Sequence, residues 1–213
     1  NSWDGPFSGP NPAATVYWLE LASDPSSDRL SFISLDAGYD VWVGIWDGSW
    51  TAEEKNTDSP EYLYHVIDTA WEKDSGKCMF IPSYVEVTAG APGDRGDYMY
   101  WTTWDPVNGF SALNQDSNKW NDTGGTGIYG FRLISDPNVN KMMVVGINGN
   151  NEIKTKNWTG SEWEAVITVL NSLASSSYSY ECYAIAPDRH DNILPELVDN
   201  QEGDDTWRNT SGY

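Results

Sequence analysis

Apolar residues recur at every second position along most of this chain, and no convincing 3.6-residue helical repeat interrupts them. Tyr17-Trp18-Leu19-Glu20-Leu21-Ala22 places Tyr17, Leu19 and Leu21 on one face of a strand. Leu30-Ser31-Phe32-Ile33-Ser34-Leu35 follows the turn Asp24-Pro25-Ser26-Ser27-Asp28, whose proline and side-chain acceptors suit a tight reversal. Val41-Trp42-Val43-Gly44-Ile45-Trp46 comes after the turn Asp36-Ala37-Gly38-Tyr39, and a fourth strand starts at Trp50, beyond Asp47-Gly48-Ser49. Four short strands joined in this way predict an up-and-down antiparallel sheet. Met142-Met143-Val144-Val145-Gly146-Ile147 is apolar on both faces, so it predicts a sheet covered on both sides.

The pattern then repeats. Leu19-Glu-Leu-Ala-Ser-Asp-Pro25 matches Phe131-Arg-Leu-Ile-Ser-Asp-Pro137 at an offset of 112, and Trp46-Asp-Gly48 matches Trp158-Thr-Gly160 at the same offset. Between these anchors Asp36 aligns with Asn148 and Gly38 with Asn150, which keeps the turn chemistry. A duplication explains this. A half-period also shows, because Trp104-Asp105 with Gly109-Phe110-Ser111 is similar to Trp3-Asp-Gly-Pro-Phe-Ser8, and Trp207 marks a further copy. Trp3, Trp46, Trp104, Trp158 and Trp207 divide the chain into four intervals averaging 51 residues. A period near 50 with about four strands per unit is that of propeller blades.

The expected fold is therefore all-β: a propeller-like repeat of about four antiparallel blade units, standing alone or as a fragment of a larger ring or array. One repeat domain spans 1–213, with a closing strand in 1–15 and units at 16–58, 59–115, 127–170 and 178–213. Leu21-Ala-Ser-Asp-Pro25, Leu35-Asp36 and Trp46-Asp-Gly-Ser49 resemble the repeats of large bacterial cell-surface and secreted propeller-type proteins. Ser34-Leu-Asp36-Ala-Gly38 resembles, more distantly, the Asp-box hairpins of sialidases, with the aromatic displaced to Trp42. Such motifs mark blade geometry rather than activity. The resemblance implies a chain that is secreted or at the cell surface.

Charge narrows the partners. Twelve Lys and Arg against 32 Asp and Glu leave a net charge of −20, with a sequence pI near 4.1. That field repels phosphate backbones and anionic lipid, which argues against nucleic acid and membrane insertion. Aromatic residues make up 14% of the chain, a composition that argues for a packed core. The chain opens on Asn1, so it is expected to be processed or to be part of something longer.

Catalytic groups are sparse. The two histidines are His65, in a strand pattern, and His190, and no Gly-x-Ser-x-Gly, His-Glu-x-x-His or Cys-x-x-Cys occurs. A glycosidase needs only a pair of carboxylates, which 32 acids can always supply. Cys78 and Cys182 fall in strand patterns of different units and read as buried free thiols. Trp46, Trp104 and Trp158 share one blade position and read as packing residues, whereas Trp50, Trp120 and Trp163 lie within two residues of Gly, Asn or Ser and are candidates to stack on glycans. Asp36-Ala-Gly-Tyr-Asp40 spaces oxygen ligands as Ca²⁺ would need, although tight hairpins use Asp and Gly for their own geometry. Asp36 and Asp40 are thus weak Ca²⁺ candidates, and no other metal or cofactor is expected. Asn121, Asn157 and Asn209 head glycosylation sequons, no more than composition delivers by chance.

Three functions follow in order. The first is a non-catalytic extracellular structural or adhesive module that self-associates into a surface assembly or filament, its 1–15 segment completing a neighbour's sheet. The second is a glycan-binding, lectin-like propeller. The third is a glycoside hydrolase, with nothing specific in its favour.

Overall fold

Alternating apolar residues cut by Asp-, Pro- and Gly-containing turns are what antiparallel sheets require, and the computed structural model is built from them. The structure describes residues 14–56, 65–82, 98–116, 120, 128–148, 150, 152–171, 185–187, 193–194, 197–198 and 206–207. Among these, every regular element is a strand.

Sheet 1 is the meander β1 (Val16–Ser23), β2 (Leu30–Asp36), β3 (Val41–Trp46) and β4 (Trp50–Asn56), paired in that order. Sheet 2 holds β5 (Ile67–Trp71), β6 (Cys78–Pro82), β7 (Tyr100–Asp105) and β8 (Gly109–Phe110), with β9 (Asn114–Gln115) also paired to β7. Sheet 3 repeats the meander with β10 (Ile128–Ser135), β11 (Met142–Asn148), β12 (Ile153–Trp158) and β13 (Ile167–Leu170). In the expected fourth unit the described residues form two short ladders, β14 (Ala186–Pro187) with β15 (Ile193–Leu194) and β16 (Leu197–Val198) with β17 (Thr206–Trp207). None of the described sheets closes on itself. Trp3, Asn121, Cys182, His190 and Asn209 lie outside the described residues, as does most of the expected closing strand, whereas Trp207 falls in β17.

The duplication is kept to the residue. β10, β11 and β12 start and end 112 positions after β1, β2 and β3. The register shift between Val16 and Trp18 returns between Ile128 and Gly130. Turn bonds follow suit: Asp24 N donates to Arg29 O as Asp136 N does to Lys141 O, at 3.0 and 2.9 Å. Asp24 Oδ1 takes the Ser26 N–H at 2.8 Å, as Asp136 Oδ1 takes that of Asn138. These Asp side chains satisfy turn amides that would otherwise be orphaned, which is why Ser-Asp-Pro survives in both copies.

Burial explains the two-faced apolar strands. Ile33, Leu35, Val43, Ile67, Trp71 and Phe80 form a core shared by sheets 1 and 2. Val66, Met79, Ile81, Phe131, Val144 and Trp158 belong to a core shared by sheets 2 and 3. Sheet 3 has a further layer on Met143, Val145, Ile147 and Ile153. β5, β6 and β11 are consequently buried along their whole length. The period-2 face of β1 behaves otherwise. Leu19 and Leu21 are 54% and 62% exposed, while the alternate residues Trp18, Glu20 and Ala22 are half-buried. Cys78 is a buried free thiol, 3.3 Å from Thr69 Oγ1, and burial pushes its pKa up to about 12, so it is inert at neutral pH.

Candidate functional site

Two places bring chemistry-bearing side chains together. The first lies where β1, β5 and β10 converge. His65 accepts the Phe131 N–H at 3.0 Å through its carbonyl and forms an isolated parallel bridge with Gly130. Its ring stacks on Trp18 at 4.6 Å, and its Nε2 stands 2.7 Å from Glu20 Oε1. Arg132 Nη1 donates to the same Glu20 oxygen at 3.1 Å and lies 4.0 Å from Asp68 Oδ2. Asp68 in turn accepts the amides of Leu133 at 2.7 Å and Thr69 at 2.8 Å. One strand from each sheet is thereby tied to the next by charge-assisted bonds.

Opposite pKa displacements accompany this geometry. The His65 imidazole 2.7 Å away, with Arg132 beside it, holds the Glu20 carboxyl below its usual value although partial burial opposes this. Burial pushes Asp68 up to about 6, against the backbone amides that favour its charged form. A pair so separated is what acid–base catalysis uses. Here, however, both carboxylates are occupied by donors from neighbouring strands, and His65 and Asp68 are buried. The cluster serves as a clamp.

The clamp predicts a pH dependence. Asp68 binds its proton more tightly folded than unfolded, so its contribution to stability is complete below its ordinary value of 3.8 and is lost as pH rises through about 6. Glu20 contributes in the opposite sense, above 4.5, and that contribution is lost on further acidification. Thermal melts from pH 4 to 8 should show Asp68→Asn removing an acid-side gain on the order of 2–3 kcal/mol. Parallel pH profiles for the two proteins would refute the assignment.

The second place is one end of the three sheets. Ser23, Leu30, Trp46 and Trp50 stand opposite one another in a row across sheet 1. Trp71, Cys78, Trp104 and Phe110 form the same row in sheet 2. Ser135, Met142, Trp158 and Trp163 form it in sheet 3. An aromatic pair thus closes the third hairpin of each sheet: Trp46 with Trp50 at 5.5 Å and Trp158 with Trp163 at 5.3 Å are in edge or tilted contact. The tight turns between them need a left-handed residue, met by Gly48 (φ 77°), Gly109 (φ 73°) and Gly160 (φ 102°).

Charged groups border each pair. Arg29 Nε donates to the exposed Asp47 carboxylate at 3.0 Å, and its guanidinium lies 5.5 Å from the Trp104 ring. Arg29 Nη1 is also 3.7 Å from Asp24 Oδ2. In sheet 2 the amide of Asn108 holds the exposed Asp105 carboxyl below its usual range, with Lys77 adding attraction. In sheet 3 the hairpin carries Thr159, Ser161 and Glu162, and Thr159 Oγ1 takes the Glu162 N–H at 3.2 Å. Each pair therefore has an aromatic surface beside groups that form directional hydrogen bonds.

The sequence-predicted residues divide. Trp50 and Trp163 are half-buried members of these pairs. Trp120 is not, and the expectation that it stacks on a glycan is corrected: it is 1% exposed, packs edge-on to Phe131 at 5.1 Å and would meet any Cβ placed on Gly146 at 2.8 Å. Trp104 and Trp158 are buried and Trp46 half-buried. The difference has a physical cause, because the preceding sheet reaches both of the others. Arg29 lies over Trp104, and Glu72 Oε1 accepts the Trp158 indole N–H at 2.8 Å. Asn157 is half-buried in β12 and donates to Glu164 Oε2 at 3.1 Å. Asp36 and Asp40 lie at the opposite end of sheet 1, in the β2–β3 turn.

No family model matches this chain, and no curated protein matches it. Among solved structures, a mutant of AofleA from Arthrobotrys oligospora is similar with a TM-score of 0.45 and 12% identity over 68% of this chain. AofleA itself is similar with a TM-score of 0.41 and 11% identity, again over 68% of this chain. The match spans about two fifths of the length of those proteins, 40% and 39%.

Proposed function

We propose that this chain is a non-catalytic, glycan-binding module of the propeller type, acting outside the cell, with its sugar sites on the end of the sheets that carries the aromatic pairs. The observation that carries this reading is the recurrence at one row position of Trp46 with Trp50, Trp104 with Phe110 and Trp158 with Trp163, each beside charged or hydroxyl side chains. An indole face packs against the CH-bearing face of a sugar ring, while carboxylate, guanidinium and hydroxyl groups bond its hydroxyls. Sheet 1 offers the most open version, since Trp46 and Trp50 are half-buried and the Arg29–Asp47 pair reaches solvent. Three short meanders of similar strand register support the blade assignment.

Immobilised-glycan screening followed by calorimetry tests the site. Trp50→Ala should weaken binding about tenfold, the scale of one aromatic contact together with lost orientation. Asp47→Ala should weaken it comparably while leaving the melting temperature within a few degrees of the parent. Failure of the parent to retain any glycan, or equal retention by Trp50→Ala, would sink the proposal.

A structural, strand-complementing role is the second reading. The exposed Leu19 and Leu21 on β1, an edge strand of sheet 1, favour it. Sedimentation of the same samples distinguishes the two, because an assembling subunit associates without added glycan.

A further inference from the structure

The duplication allows one turn to be compared with its own copy. In sheet 3, Asn148 Oδ1 accepts the amides of Asn150 at 3.1 Å and Glu152 at 3.0 Å, and Asn148 Nδ2 donates to Glu152 Oε2 at 2.7 Å. All the hydrogen-bonding atoms of that side chain are thereby used. In sheet 1 the same positions hold Asp36, Gly38 and Asp40. Asp36 Oδ1 repeats the first half of the pattern, accepting Gly38 N at 2.8 Å and Asp40 N at 3.2 Å. The second half is reversed. Asp36 Oδ2, an acceptor, takes the place of an amide donor, and the group across the turn is again a carboxylate.

Asp36 is 0% exposed, and Oδ2 is buried with no hydrogen-bond partner. The two carboxylates converge on Gly38: a Cβ placed there would lie 3.1 Å from Asp36 Oδ1 and 3.1 Å from Asp40 Oδ2. Glycine keeps the space between them open. A buried carboxylate oxygen with no hydrogen-bond partner, in a turn that brings a second carboxylate close to its own group, calls for a positive charge. A net charge of −20 raises the local concentration of cations further.

We propose that the Asp36–Asp40 turn binds Ca²⁺, with Asp36 Oδ2 and the Asp40 carboxylate as its anionic ligands. The donors are hard oxygens, which suits Ca²⁺ rather than a transition metal. Among the described residues no third acidic or histidine side chain joins them, so backbone carbonyls and water complete the shell. Affinity should fall in the range of weak extracellular sites, about 10⁻⁴–10⁻³ M. The sheet 3 turn, in which Asn148 supplies its own donor, binds none.

The test uses the full chain, freed of divalent ions with a chelator and then titrated with CaCl₂ or MgCl₂ at constant ionic strength and pH 7.5. The parent should melt several degrees higher in Ca²⁺ at about ten times the expected dissociation constant, and less so in Mg²⁺. Asp36→Asn recreates the sheet 3 arrangement, so it should fold without Ca²⁺, melt at or above the Ca²⁺-free parent and lose the Ca²⁺ response. Two results would overturn the proposal. One is a parent that does not respond to Ca²⁺. The other is an Asp36→Asn protein that responds as strongly, which would mean diffuse attraction to an acidic surface.

Discussion

Asp116→Ala should destabilise the protein by about 3–5 kcal/mol, the range for removing one partner of a buried ion pair. Lys156 is 0% exposed on β12, and its ammonium donates to Asp116 Oδ2, itself buried just past β9. Without that carboxylate the ammonium is left in a low-dielectric interior without its anionic partner, a loss that the rest of the site does not offset. Asp116 N also donates to Met99 O at 2.8 Å, a bond between backbone groups that the substitution leaves intact. Denaturant unfolding at pH 7 reads the loss. Replacing both partners, Asp116→Leu with Lys156→Met, should recover most of it, because an apolar pair of similar volume avoids desolvating two charges. A loss below about 1 kcal/mol for the single variant would place the pair in solvent rather than in the core.

Trp158→Ala should cost a similar 3–5 kcal/mol. The indole is buried in the core shared by sheets 2 and 3, in contact with Trp101 at 5.0 Å and Trp163 at 5.3 Å. Its N–H is the donor to the buried Glu72 Oε1, so truncation also leaves an acceptor unsatisfied. Trp46→Ala at the equivalent, half-buried position should cost only about 1–2 kcal/mol, less than half as much. Equal losses at the two positions would show that the pairs differ in name only, and would argue against an open aromatic face on sheet 1.

These contrasts mark where the sequence is informative. Strand limits and turns were legible because Ser-Asp-Pro and Asp-x-Gly encode local hydrogen bonds, and local bonds recur wherever the string recurs. Side-chain destinations were another matter. Trp120 sits among Asn, Lys and Asp, yet its ring fills the space over Gly146 on a strand far along the chain. Nothing in the sequence marks Lys154 and Lys156 as core residues, yet Lys154 Nζ donates to Trp120 O at 2.8 Å and both side chains are buried. Glu20, His65, Asp68 and Arg132 share no motif, since each belongs to a different strand or turn and meets the others only when the sheets dock. The apolar period of β1 was plain, but not which of its faces turns toward β5. Contacts to Glu20 from two other sheets decide that, and no window of sequence contains them.

The meander order also sets an order in time. Most strands of a sheet pair with their chain neighbour across a short turn, β6 and β7 being an exception with 17 residues between them, and short hairpins close in about 1–10 μs. Bonds between sheets bridge 65 residues from Asp68 to Leu133, 86 from Glu72 to Trp158 and 112 from Glu20 to Arg132. Those contacts have high sequence separation and form after the hairpins, which makes docking the slow step of folding. A chain waiting at that step shows both faces of β11 and the whole of β5 and β6 to solvent, and such surfaces aggregate when molecules meet. The net charge of −20 acts on that undocked chain as well as on the native one, keeping partly folded copies apart while the sheets find each other. Folding yield should therefore fall as salt rises, even where the finished fold is indifferent to it.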